Sequence, residues 1–139
     1  MSALSMEQYR RLERLAREFS DRHLRAFKAR PEFHPRLAVD ALCFAPCPGR
    51  PGWLVGAWLT PCDLSLALVR ESAEACDTGM AGPQVLELPR GEFELEPEIM
   101  AGDILWRCLL LNDLGDVADM GEACRLAQRL MDKVMTAPE

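Results

Sequence analysis

The stretch Trp53-Leu54-Val55-Gly56-Ala57-Trp58-Leu59-Thr60-Pro61-Cys62-Asp63-Leu64-Ser65-Leu66-Ala67-Leu68-Val69 decides the fold. It holds two apolar runs, Trp53–Leu59 and Leu64–Val69, separated by four residues. Short apolar runs rich in aromatic and aliphatic residues, broken by a turn, read as strands. Proline has no N–H to give to a ladder, so Thr60-Pro61 marks a bend or bulge. A connection this short joins antiparallel strands, because a parallel pair needs a crossover of about a dozen residues or more.

Upstream, Leu37, Val39, Ala41 and Cys43 alternate with Ala38, Asp40 and Leu42, which is a strand period. Pro46-Cys47-Pro48-Gly49-Arg50-Pro51-Gly52 then reads as a turn. Downstream, residues 71–83 read as a loop, the one stretch expected to move. Val85–Leu88 and Glu92–Glu96 form a hairpin about Pro89-Arg90-Gly91. In its second arm Glu92, Glu94, Glu96 and Glu98 alternate with Phe93, Leu95, Pro97 and Ile99, so all four carboxylates share one face. That face reads as solvated, with a surface that attracts a basic peptide as the other reading. Ile104–Leu111 is the last strand.

Helices flank the strands. Over residues 7–30, Leu12, Leu15, Ala16, Phe19, His23, Ala26 and Phe27 fall on one helical stripe, with Arg10, Arg14, Arg17, Arg25 and Lys28 off it. Pro31 ends this helix. A closing helix spans roughly residues 116–135, with Met120, Ala123, Cys124, Ala127, Leu130, Met131 and Val134 inward and Asp116 placed to cap it. The expected fold is α+β: an antiparallel five- to six-stranded sheet with the N-terminal and C-terminal helices packed on one face. Residues 1–139 are expected to form a single domain, frayed at 1–6 and 136–139.

Composition narrows the function. With 139 residues, 49% hydrophobic and 27% charged, the chain suits one globular domain. No apolar run approaches the ~18 residues of a membrane span. The first residues are charged every few positions and lack the apolar core of a secretory signal, so a cytoplasmic location is expected. The net charge of -6 argues against nucleic acid as a partner. Residues 1–36 hold nine Lys/Arg against five Asp/Glu, a net of +4, and the remainder nets -10. The basic first helix reads as a solvated face, or as a docking face for an acidic partner.

The sequence offers little for chemistry. Its six cysteines are expected to be free thiols behaving as small hydrophobes. Cys43 and Cys47 are the one close pair, where a zinc site takes four ligands from two such pairs. His23 and His34 have no partnered spacing. Neither a resident metal nor a cofactor is expected. A cysteine nucleophile needs a histidine base beside it, and there is no serine-hydrolase elbow, dinucleotide loop or phosphate loop. The chain is expected not to be an enzyme. Trp53 and Trp58 face opposite sides of one strand, so one belongs to the core and the other meets a helix or anchors a partner.

Four segments resemble one family in order. Gly56-Ala57-Trp58-Leu59-Thr60-Pro61, with Leu64-Ser65-Leu66-Ala67-Leu68 after it, is similar to a strand, Thr-Pro step and strand of the HybE family. Leu86-Glu87-Leu88-Pro89-Arg90-Gly91-Glu92-Phe93 resembles its hairpin. Gly102, Trp106, Cys108, Leu109 and Leu110 match its last strand, and Asp119-Met120, Ala123 and Ala127 its closing helix. The resemblance implies an α+β chaperone of nickel–iron hydrogenase maturation that holds immature large or small subunits before assembly and export. Having no paired C-x-x-C motifs, the chain lacks the rubredoxin domain that some members add. It departs from the pattern at Cys62, where tryptophan usually follows Thr-Pro, and at Asn112-Asp113, where Ser-Pro is common.

The expected client-binding surface is Trp58, Thr60, Pro61, Cys62 and Leu64, joined by Pro89, Gly91 and Cys108. The motive is that a proline-broken bend leaves backbone groups unpaired, and such an edge accepts an extended peptide. Taken singly, each of these residues reads more simply as part of a turn or of sheet packing. An alternative role is a thiol-based carrier of iron or nickel in the same maturation, using Cys43, Cys47, Cys62 and Cys108. The partner reading leaves a homodimer open.

Overall fold

A computed structural model describes residues 4–72, 82–100 and 103–138. Most of the 71–83 loop, and Gly102, lie outside the described residues. The element order is α1 (Met6–Lys28), β1 (Asp40–Pro46), β2 (Trp53–Leu59), β3 (Leu64–Arg70), β4 (Gln84–Leu88), β5 (Gly91–Met100), β6 (Asp103–Leu111) and α2 (Met120–Val134). Every pairing is antiparallel, and the spatial order is β1-β2-β3-β6-β5-β4. The fold is α+β, with a six-stranded sheet between terminal helices.

The two central strands explain the architecture. In β2, Leu54 and Trp58 pack with α1, while Val55, Ala57 and Leu59 pack with α2. In β3, Ala67 and Val69 join the α1 side, and Leu64, Leu66 and Leu68 the α2 side. A strand apolar at both parities must be covered on both faces. The helices therefore lie on opposite faces of the sheet, which corrects the expectation that they share one. The unbroken run Trp53–Leu59 carried that information, since a strand with one wet face would have alternated.

Other boundaries shift for local reasons. β1 starts at Asp40 rather than Leu37, because the Leu37 N–H closes a turn on His34 O at 3.1 Å. Its register slips between Leu42 and Ala45, and Cys43 takes φ 59° in the bulge. The bulge presses Phe44 over Gly56, where a Cβ would lie 2.4 Å from the Phe44 ring and 2.8 Å from its Cα. That contact requires glycine in the middle of β2. Asp119, not Asp116, caps α2 by accepting the Glu122 N–H at 3.0 Å. Cys124 is exposed and Ala123, Ala127, Met131 and Val134 form the buried stripe. At α1, Leu4 is buried and Ser5 forms a capping box with Gln8, with bonds of 2.8 and 3.1 Å.

Trp58 is the core tryptophan, edge-on to Phe19 at 5.5 Å and to Phe44 at 6.4 Å. Trp53 is half-buried against the core cluster that includes α2. The guanidinium groups of Arg50 and Arg70 each lie 4.7 Å from its ring, and Trp106 lies edge-on at 5.1 Å.

One ion pair fastens α1 to the sheet. Arg11 holds Asp103 bidentately, with Nη2 to Oδ1 at 2.9 Å, and its Nε donates to Arg70 O at 3.0 Å. Both residues are buried, at 6% and 5% exposure. Removing one partner strands the other charge, so Asp103→Ala is expected to cost about 3–5 kcal/mol. Gly56→Ala overpacks the Phe44 contact and is expected to cost about 1–3 kcal/mol. Exposed Arg10→Ala should stay within about 0.5 kcal/mol. Urea unfolding of the three variants checks the ranking.

Candidate functional site

The Thr60–Asp63 turn folds on itself. Thr60 Oγ1 accepts from Cys62 N and Asp63 N, each at 3.0 Å, and donates to Asp63 Oδ1 at 2.8 Å. Thr60 N–H donates to Asp63 O at 2.9 Å, and Pro61 O accepts from His34 N–H at 2.8 Å. The Cys62 thiol reaches Phe27 O at 3.7 Å. Trp58, Thr60, Pro61, Cys62 and Leu64 are all buried. The turn's polar groups are thus engaged internally, and β2 and β3 are paired on both sides. The premise of an unpaired edge at this bend is corrected. In this conformation the five side chains shape the sheet from within.

Beside the turn lies a charged groove of about 310 Å³, lined by Asp63, Ser65, Glu96, Pro97, Glu98, Arg107 and Leu109. Arg107 stands at its centre, 3.6 Å from Asp63 Oδ1, 3.6 Å from Glu98 Oε1 and 3.4 Å from Ser65 Oγ. Its guanidinium also lies 5.0 Å from the Phe19 ring. Glu98 meets His23 Nε2 at 2.6 Å, and Arg30 reaches Asp63 at 3.9 Å. The glutamate stripe therefore divides: Glu98 is tied to α1, while Glu92, Glu94 and Glu96 are exposed. Periodicity could not have found this division, since it depends on where α1 stops covering the sheet.

The remaining expected residues sit apart from the bend. Pro89 and Gly91 are exposed at the β4–β5 turn. Arg90 between them caps α2, donating from N to Val134 O and from Nε to Lys133 O, both at 3.1 Å. Those carbonyls are among the four that a helix end leaves without partners. Cys108 is half-buried on the α2 side of β6. The sheet's outer edges are β1 and β4. β1 is bulged and packed by both helices. β4 pairs with β5 and has no further strand beside it among the described residues.

The cysteines are dispersed. Cys43 and Cys124 are exposed, Cys108 half-buried, Cys47 and Cys62 buried, and all five are free thiols; Cys76 lies outside the described residues. No group of three or more His, Cys, Asp or Glu side chains among the described residues is placed to hold a metal ion. Burial pushes the thiols of Cys43, Cys47, Cys62 and Cys108 above their ordinary value. A raised thiol pKa leaves little thiolate at neutral pH, and thiolate is the metal-binding and nucleophilic form. No described helix is long and apolar enough to cross a membrane.

The sequence model of one family, described as “[NiFe]-hydrogenase assembly, chaperone, HybE”, matches residues 10–139. The chain belongs to this family. Neither a curated protein sequence nor a solved structure is significantly similar to it. The match covers α1 from Arg10 through α2, so the buried turn, the charged groove and the open β4 edge of this HybE-family chain all lie within it. It makes the chain a hydrogenase assembly chaperone by family.

In a Cys76→Ser background, Cys43 and Cys124 are expected to react first with a thiol reagent, and Cys47 and Cys62 only on unfolding. Mass spectrometry of the labelled peptides checks the order. When the chain unfolds, Cys43, Cys47, Cys62 and Cys108 release their protons at lower pH than in the fold. Stability is therefore expected to fall as pH rises above the ordinary thiol range, which unfolding curves at increasing pH would measure.

Proposed function

We propose that this chain binds immature nickel–iron hydrogenase subunits, large or small, before their assembly and export, by accepting an extended client segment along β4. The observation that carries this reading is the open edge of β4, in a sheet whose other edge strand is bulged and packed by helices. The two-residue β4–β5 turn makes Leu88 and Gly91 a hydrogen-bonded pair. Alternation then turns the N–H and C=O of Val85 and Glu87 outward. Among the described residues no strand pairs with those groups, so an added strand could, with main-chain bonds supplying affinity and side-chain pockets specificity.

Of the residues expected from sequence, Pro89 and Gly91 border this edge and belong to the proposed contact. Trp58, Thr60, Pro61, Cys62 and Leu64 lie in the other half of the sheet and act by holding it in shape. Cys108 lies two strands inward and would meet a client that extends over the α2 side. The short strand and the exposed Glu87 guard the edge against pairing without selection.

The test uses Glu87→Pro. Proline at an outward N–H of an edge strand leaves the ladder intact and removes the donor offered to a client. In pulldowns with hydrogenase subunit precursors the variant is expected to bind about tenfold more weakly or worse, with an unchanged circular dichroism spectrum. Unchanged binding by the folded variant would remove β4 from the contact. Failure of the wild-type chain to retain any hydrogenase subunit would remove the client reading itself.

A further inference from the structure

Five large apolar side chains are exposed among the described residues: Met6, Tyr9, Val85, Ile99 and Leu109. Four of them lie on two surfaces with opposite charge. The first surface is the solvent side of α1. Arg10, Arg14, Arg17, Arg25 and Lys28 are exposed there, and none forms an ion pair within the described residues. Asp21 lies among them and Glu7 and Glu13 along the margin, so the cations are in excess. Met6 and Tyr9 stand at its N-terminal end.

The second surface is the half of the sheet that α1 leaves bare. Direct pairing puts Val85 opposite Glu94, Glu87 opposite Glu92 and Glu96 opposite Arg107. Leu109 shares the face of Arg107 by strand parity. All of these except Arg107 are exposed, and Glu87, Glu92, Glu94 and Glu96 form no ion pair among the described residues. Carboxylates side by side on one face repel one another until a cation meets them.

We infer that the occupant of this bare sheet face is α1 of a second copy of the chain, in a reciprocal dimer. Three features fit. The charges are complementary, and the residues that carry them form no ion pair among the described residues. The spacings also match. Arg10 and Arg14 are ~6 Å apart along a helix and Arg10 and Arg17 ~10.5 Å. Glu92 and Glu94 are ~7 Å apart along a strand and Glu92 and Glu96 ~13.5 Å. The differences are within the reach of an arginine side chain. Finally, α1 and the bare face lie on the same side of the sheet. A twofold axis can therefore lay each α1 over the other copy's open half, and the contact closes on itself instead of growing into a fibre. The same docking covers Tyr9, Met6, Val85 and Leu109.

The inference concerns the chain alone and does not depend on the client reading, so the test contains no client. Two full-length variants are made at exposed positions. One carries Arg10→Glu, Arg14→Glu and Arg17→Glu. The other carries Glu92→Arg, Glu94→Arg and Glu96→Arg. Circular dichroism establishes that each is folded. Sedimentation in about 0.05 M salt, where charges are little screened, is expected to give the wild type at twice the 15.6 kDa chain mass. About 0.5 M salt should shift it toward a single chain. Each variant alone is expected to sediment as a single chain, because its two surfaces now repel. An equimolar mixture of the two is expected to recover the double mass, since each then offers what the other lacks. A wild type that sediments as a single chain in low salt would overturn the proposal. So would a double mass that survives in both variants alone, or a mixture that stays at single-chain mass.

Discussion

Two strands without a wet face set the plan of this molecule. β2 and β3 bury side chains of both parities, so the sheet cannot stand with one side in water and needs a cover on each. α1 supplies one and α2 the other, which places the helices at opposite ends of the chain on opposite faces. The rest follows from fixing those covers in place. Arg11 and Asp103 fasten α1 to the start of β6, and Arg90 from the hairpin turn caps the end of α2. The β1 bulge drives Phe44 over Gly56 and seals one edge of the α1 side.

The covers are shorter than the sheet. α1 reaches Glu98 through His23 and Arg107 through the Phe19 ring, and beyond that line no described residue covers its side of the sheet. This boundary explains why one run of alternating glutamates divides into an engaged residue and three exposed ones. It also separates the surfaces available for partners. The backbone edge of β4 can take an extended segment, while the acidic face beside it can take a cationic helix. The buried Thr60–Asp63 turn holds Asp63 against Arg107 and closes β2 onto β3.

Much of this was legible in the residues. The strand runs, the proline-glycine turns and the two amphipathic helices appear at nearly their observed places, because local periodicity and turn chemistry decide them. The HybE-family membership was readable from four weak motifs in order, and the family match extends it to residues 10–139. The failures have two causes: contacts distant in sequence, and side-chain hydrogen bonds inside short turns. The helical stripe gave Arg11 no role, and only Asp103, 92 positions away, makes it a buried anchor. Asp116 read as the cap of α2, but it lies inside the Leu114–Val117 turn and Asp119 caps the helix instead. Thr60-Pro61 read as an open bend because proline lacks a donor, whereas the threonine hydroxyl takes up the Cys62 and Asp63 N–H groups and bonds the Asp63 carboxylate. Strand order is not written in strand sequence either, so the edge position of β4 came only with the fold.

The central claim is that a client strand pairs with β4. Hydrogen exchange read by mass spectrometry, on the chain alone and with a bound hydrogenase subunit precursor, tests it most directly. Outward amides of an edge strand exchange quickly when nothing pairs with them. The account predicts that the Val85 and Glu87 amides exchange fast in the free chain and become protected in the complex. A complex that forms while both amides continue to exchange at the free rate would contradict it.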